Sequence, residues 1–328
     1  TEASGLFEAR LGAEEMPEKE VHVFCAGYRA DEFEELLQYA DHIVFNSPSQ
    51  LLRFGVRAKA AGKSVGLRIN PECSTQEGHD IYDPCAPGSR MGTTRVQWDE
   101  AFQKNPELLD LLDGLHFHTL CEQDSDDLET TLVSVKKHFD DLASRVKWIN
   151  FGGGHHITRP GYDIERLERC IRTVQEEWKV DVYLEPGEAW ALNAGFLLTS
   201  VLDVLKNGET QIAIVDASAA CHMPDVLEMP YLPPLLGTDE TEENGITVRL
   251  GGPTCLSGDV IGDYKFRQLP EYGDILMFGD MAIYTTCKNN TFNGMPLPNI
   301  WLRRADNTMQ QLTDFGYMDF KERLGSRE

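Results

Sequence analysis

From Val21 to about Leu198, short apolar runs alternate with longer amphipathic stretches. The apolar runs predict strands at Val21–Ala26, His42–Asn46, Ser64–Asn70, Gly114–His118, Val146–Gly152 and Val182–Glu185. Between them, apolar residues return every three or four positions. This spacing predicts helices over Ala30–Tyr39, Ser49–Ala61, Trp98–Lys104, Asp126–Ser144 and Ile164–Trp178. Repeated strand–helix units build a parallel sheet, and their number suits a (β/α)8 barrel lacking its first one or two units better than a complete doubly wound sheet. Periodicity alone leaves the doubly wound sheet open.

After Leu198 the pattern becomes β-rich, with strands expected at Leu198–Val204, Ile212–Val215, Thr247–Leu250, Asp274–Phe278 and Asn299–Arg303, separated by Pro, Gly and Asn turns. The reading is therefore α/β: an incomplete barrel over residues 1–198, then a mostly antiparallel β domain over 199–328. The acidic segment Gly237–Gly245 reads as an exposed loop.

Composition narrows the partners. Asp and Glu outnumber Lys and Arg 54 to 30, for a formal charge of −24. Phosphate backbones need clustered cations, so nucleic acid is excluded as a partner and a cationic ligand is favoured, although most of the charge is expected simply to solvate the surface. No apolar run reaches the roughly 18 residues of a membrane span, and Thr1–Gly5 does not open a leader peptide, so a cytoplasmic location is expected. The eight cysteines are spread without a C-x-x-C pair, which points away from a zinc site or a disulfide framework.

Catalytic groups of a barrel sit where strands end. The strand Trp148–Phe151 runs into Gly152-Gly153-Gly154-His155-His156, and glycines let backbone N–H groups close around an anion. The strand Val182–Leu184 ends in Glu185-Pro186-Gly187-Glu188, and Gly114–His118 carries His116 and His118 on one face, followed by Cys121 and Glu122. Further on, Gly251–Asp259 joins Cys255 to Asp259 across a turn, and Ala282–Thr285 adds the phenol of Tyr284. Taken singly, each is equally a turn, a cap or a core residue.

Together and in this order, these motifs resemble the fold-type III pyridoxal-phosphate decarboxylases, the alanine-racemase-like group that includes diaminopimelate, ornithine and arginine decarboxylases. Within it the chain most resembles the carboxynorspermidine/carboxyspermidine decarboxylases, through Phe7–Gly12, Ile43–Ser47, Leu67–Pro71, Ser89–Gly92, Leu184–Ala189 and His222–Asp225. The resemblance implies pyridoxal 5'-phosphate as cofactor, with His118 stacked on its ring, Gly152, Gly153, Gly154 and Gly187 around its phosphate, and Tyr284 in contact. It implies Glu185 on the ring nitrogen, and Cys255 as an acid whose segment reaches into the site of a second subunit of a homodimer.

Where diaminopimelate enzymes carry Arg, this chain has Glu188. A carboxylate there suits an amine, so Glu188, Asp225 and more weakly Asp259 are the substrate-binding candidates. Leu120 departs from the Asn usual after the strand-end histidine. The family's cofactor-bearing lysine lies in an A-L-K-x-F-x-x-W-like motif ahead of the segment matching Thr1–Gly12, and no such motif occurs here. The chain is therefore expected to be N-terminally incomplete and inactive as it stands. The implied activity is decarboxylation of a carboxylated triamine. The rivals are another decarboxylase of the group, of the diaminopimelate or arginine type, and an inactive binding or regulatory homologue.

Overall fold

A computed structural model describes residues 1–76, 83–238 and 245–325. Most of the Gly237–Gly245 loop therefore lies outside the described residues. The chain divides into two compact units, Thr1–Trp190 and Ala191–Glu328. The break falls a few residues earlier than the change of texture, because residues 191–196 precede the first strand of the second unit and carry no periodic signal of their own.

The first unit is a seven-stranded parallel sheet in sequential order: β1 (Glu2–Ala3), β2 (His22–Cys25), β3 (His42–Phe45), β4 (Ser64–Arg68), β5 (Gly114–His116), β6 (Trp148–Asn150) and β7 (Asp181–Tyr183). Every pairing is parallel, as in a barrel wall. Among the described residues β1 pairs only with β2 and β7 only with β6. A seam cavity of about 490 Å³ is lined by residues from both edges, among them Glu2, His22, Asn150, Tyr183 and Glu185.

The intervening helices begin where local chemistry allows. Ser47 caps Pro48–Ala60 by accepting from Gln50 N at 3.3 Å, with Pro48 at the first helical position. Thr94 and Gln97 form a reciprocal capping box on Arg95–Lys104, and Asp163 accepts from Arg166 N at 2.9 Å to start Ile164–Trp178. Strand alternation then divides the side chains. Val23, Ile43, Phe45, Val65, Leu67, Leu115 and Ile149 are fully buried in one core with the helix residues Leu51, Phe54, Leu128 and Phe139.

The other face holds a smaller apolar cluster of Phe24, Val44 and Trp148. Trp148 donates to Ser64 Oγ at 2.8 Å. A Cβ on Gly66 or Gly114 would come 2.5 or 2.0 Å from the Trp148 ring, so both positions need glycine to seat the indole. The same face carries polar groups in line with the strands: His22 and His42 at the end where the strands enter, Arg68, His116 and Asn150 where they leave.

The second unit is a five-stranded sheet ordered β11-β10-β9-β8-β12, from β8 (Leu197–Asn207), β9 (Thr210–Val215), β10 (Ile246–Gly251), β11 (Val260–Phe266) and β12 (Ile275–Phe278), plus a hairpin of β13 (Trp301–Arg303) and β14 (Met309–Gln311). All pairings are antiparallel except β9 with β10. That parallel pair needs a crossover, and the stretch between them supplies it, with short helices at Ala219–His222 and Asp225–Glu228. The strands β11 and β14 were not anticipated, since turn residues flank them closely. Among the described residues no helix is long and apolar enough to cross a membrane.

Candidate active site

The loops leaving β5, β6 and β7 are laced together. Phe117 N donates to Asn150 O at 3.0 Å, Phe151 N to Tyr183 O at 2.9 Å, and Glu185 N to Gly152 O at 2.8 Å. The glycine run is the junction. Gly152 and Gly154 have φ of 71° and 79°, and a Cβ at Gly154 would lie 2.1 Å from Leu120 O. At Gly153 a Cβ would meet Glu185 O at 2.7 Å and His118 Cε1 at 3.1 Å. Gly187 has open space where its Cβ would stand. Three strand ends therefore approach backbone to backbone, with room beside Gly187.

Glu185 is the charged centre of this floor. It faces His116 Nε2 at 3.3 Å and accepts from Asn150 Nδ2, and both partners are buried. Asn150 in turn accepts from Gly152 N at 2.8 Å, tying the carboxylate to the glycine turn. Burial opposes ionisation of Glu185, but His116, which faces and hydrogen-bonds it, and a hydrogen bond from Glu2 outweigh it and hold the carboxyl low. Glu2 is pushed the other way, by burial and then by the Glu185 charge. Glu2 is solvent-accessible through the seam cavity although protein surrounds its carboxyl, and it takes the proton that the pair shares.

His118 lies beyond β5, not on it, since the strand ends at His116. Its Nδ1 accepts from Gly153 N at 3.3 Å, and its carbonyl accepts from Arg68 Nη2 at 3.2 Å. Burial, with the Arg68 charge second, pushes the His118 imidazole down to about 3 and keeps the ring neutral near pH 7. Arg68 lies 4.4 Å from the Phe24 ring centroid, and burial pushes its guanidinium down to about 10. Sequence reasoning passed over Arg68, Asn150 and Glu2; an arginine inside the apolar run of β4 was the available signal.

A second grouping stands beside the first. His156 Nε2 lies 3.2 Å from Glu188 Oε1, and ligand atoms of Glu122, His156 and Glu188 all lie within 4.8 Å of one another.

The remaining predicted residues belong to the second unit. Asp225 is ion-paired with Lys288, which also bonds Glu228 at 2.6 Å. Asp259 is buried and accepts from Ser218 Oγ at 2.8 Å, Thr254 Oγ1 at 2.6 Å and Ala220 N at 3.2 Å, closing the Gly251–Asp259 turn. Cys255 is exposed at the tip of that turn, its N–H donating to Asn293 Oδ1 at 2.8 Å. Tyr284 opens a short helix, Tyr284–Cys287, rather than sitting in a strand, and Lys288 Nζ lies 5.6 Å from its ring centroid. No lysine lies on β1–β7.

A parallel sheet wall whose leaving end gathers a glycine junction, an ionised carboxylate and a neutral imidazole has the layout of an α/β enzyme site. The residues fit pyridoxal phosphate: the open space at Gly187 leaves room for a phosphate beside the backbone, and Glu185 is an acceptor for a protonated ring nitrogen. The chain belongs to the pyridoxal-dependent decarboxylase family, whose "Pyridoxal-dependent decarboxylase, C-terminal sheet domain" pattern matches residues 28–282. It is 40% identical over 331 residues to a carboxynorspermidine/carboxyspermidine decarboxylase of Campylobacter jejuni, covering 98% of this chain and 84% of that protein. It is also 40% identical over 324 residues to a carboxyaminopropylagmatine decarboxylase of Synechocystis, covering 98% and 82%. The crystal structure of Campylobacter jejuni carboxynorspermidine decarboxylase complexed with norspermidine superposes with a TM-score of 0.85 at 38% identity, covering 98% of this chain and 85% of that one.

Proposed function

We propose that this protein removes the carboxylate of a carboxylated triamine, carboxynorspermidine or carboxyspermidine, in polyamine biosynthesis. The carrying observation is Glu188, a carboxylate held by His156 at 3.2 Å, three residues beyond the buried Glu185. A carboxylate there repels a second acidic group and attracts an ammonium, which disfavours diaminopimelate. The relatives at 40% identity support the same choice, one being a carboxynorspermidine/carboxyspermidine decarboxylase and the other a carboxyaminopropylagmatine decarboxylase.

When bound, pyridoxal phosphate supplies an electron sink for the pair released as CO2 leaves. Glu185, ionised near pH 7, would hold a proton on the ring nitrogen. His118, kept neutral, offers a flat face without adding charge. Gly152, Gly153, Gly154 and Gly187 would lie around the phosphate, and Tyr284 would add a cofactor contact. The exposed Cys255 thiol would be the group that returns a proton to carbon. Glu188 is the leading amine ligand. Asp225 and Asp259 are weaker candidates, since each would have to exchange a bond already made in its own unit. A cytoplasmic homodimer with shared sites is the assembly that fits this scheme.

The test is made on the protein loaded with pyridoxal phosphate. CO2 release is measured with carboxynorspermidine, carboxyspermidine, carboxyaminopropylagmatine, diaminopimelate and arginine. The highest kcat/KM is expected for a carboxylated triamine. Preference for diaminopimelate or arginine would overturn the substrate assignment, and bound cofactor without CO2 release from any of them would leave a binding homologue.

A further inference from the structure

At the end where the strands enter, β2 and β3 both begin on a histidine. His22 and His42 are direct partners in the parallel register, so their side chains leave the sheet on one face. The rings stack at 3.9 Å between centroids, 7° from parallel. Aromatic side chains wall them in, Tyr183 standing 4.7 Å from His22 and Trp148 5.1 Å from His42, centroid to centroid. Glu20, two residues before His22, brings its carboxylate to both: Oε2 lies 3.3 Å from His22 Nε2 and Oε1 lies 3.8 Å from His42 Nε2. One ligand atom from each of the three lies within 4.8 Å of the others. Glu20 and His22 also line the seam cavity of about 490 Å³, through which solvent reaches the group.

His42 is the residue that packing leaves unexplained. It is 8% exposed, yet among the described residues neither of its nitrogens makes a hydrogen bond: Nδ1 is buried without a partner, and Nε2 stands too far from Glu20 for one. A buried polar group in that state is costly, and such a group calls for a partner of some kind. Two imidazole nitrogens and one carboxylate oxygen are a donor set that zinc takes, with water in the fourth position, and here the cavity supplies the room for that water. In the stack the two Nε2 atoms point side by side, so convergence on one ion requires a ring to turn. No hydrogen bond holds the His42 ring, and the bond on His22 is to Glu20, itself a ligand, so the turn breaks nothing outside the trio. The Glu122, His156 and Glu188 grouping offers one imidazole where this one offers two.

We propose that Glu20, His22 and His42 form a zinc site that braces the entering end of the parallel sheet, tying the segment before β2 to β2 and β3. The site lies at the opposite end of the strands from the loops that carry Glu185, and it does not depend on the proposed reaction.

The test uses the full chain without an affinity tag, stripped of metal by a chelator, with Zn²⁺ alone as the probe. Competition against a chromophoric zinc chelator is expected to show one tight site per chain. Glu20→Gln keeps the side-chain shape at an exposed position, and His42→Gln removes the unpartnered imidazole. Each should weaken the site by at least about 100-fold, since loss of even an outer partner of a zinc ligand costs about 10- to 100-fold. Zn²⁺ should raise the Tm of the unmodified chain and of His156→Asn, and should leave that of Glu20→Gln and His42→Gln unmoved. Circular dichroism checks each fold, and Glu20→Gln decides the matter if His42→Gln does not fold. No tight zinc site in the unmodified chain, or one that keeps its affinity in Glu20→Gln, would overturn the inference. So would a site that His156→Asn removes and His42→Gln keeps.

Discussion

At the entering end of the parallel sheet, Asp113 is buried between two lysines, with Lys59 Nζ at 2.5 Å and Lys147 Nζ at 2.9 Å, and it also accepts from Val65 N at 3.0 Å. At the leaving end, Glu185 is met by His116 and Asn150, and Glu188 by His156. The first arrangement cancels charge with charge and locks β4 to β5. The second orients the carboxylates through imidazole and amide groups. Histidines occur at both ends, His22 and His42 being stacked at 3.9 Å between ring centroids beside Glu20, so residue type alone does not separate the two ends.

The largest test of this contrast is pH. Burial pushes His118 down to about 3 and His155 and His42 down to about 4, each from an ordinary 6.5. Below pH 6.5 the unfolded chain binds protons at these sites while the native protein does not, so stability is complete above that value and declines as pH falls toward 4 and 3. Each histidine contributes up to about 1.4 kcal/mol per pH unit. Denaturant unfolding at pH 7, 6 and 5 should show a steep loss, and a flat profile would mean that these imidazoles take up protons in the native protein as readily as in the unfolded chain.

Next in size, Glu185→Gln should lower kcat of the holoenzyme by about 10²- to 10³-fold, with an altered absorbance of the bound cofactor. Activity within tenfold of the unmodified enzyme would remove the leaving end from the chemistry. A smaller effect is expected for Gly153→Ala, whose Cβ would press on Glu185 O at 2.7 Å. Strain of about 1–3 kcal/mol should appear as weaker pyridoxal phosphate binding. Gly66→Ala presses on Trp148 instead, at 2.5 Å, and should lower Tm without changing cofactor affinity. Equal effects on affinity would erase the distinction between the two positions. The smallest is Asp113→Asn, which should cost about 1–3 kcal/mol in chemical denaturation and leave kcat/KM unaltered. A large loss of activity there would break the comparison.

Much of this architecture was legible beforehand. The helix Ile164–Trp178 has the bounds that its periodicity predicts; β2 to β6 fall inside the expected apolar runs, trimmed by a residue or two at their ends, and β7 starts one residue earlier than its expected run and ends two residues sooner. Trimming matters at β5, where loss of the last two residues separates His118 from His116. The short β1 was not legible, because two residues carry no periodicity. Among site residues, Glu185, His118 and the glycine run announced themselves as polar or permissive groups after apolar strands. Glu122 and His156 also follow strands, but nothing local says that they meet.

The order of apolar and polar positions was enough to determine the strand–helix alternation, the change to β structure near residue 200, and a motif order that points to the decarboxylase family. These are local signals, set by side-chain periodicity and by turn residues, and they survive without knowledge of neighbours. Only the tertiary structure decided that Glu2 shares a proton with Glu185, that Trp148 lies over Gly66 and Gly114, and that Asp225 is committed to Lys288. Each of these joins residues about 30 or more positions apart. Their meeting depends on the packing and register of whole elements, and the pKa of a carboxylate depends on which charges that packing brings within a few ångströms.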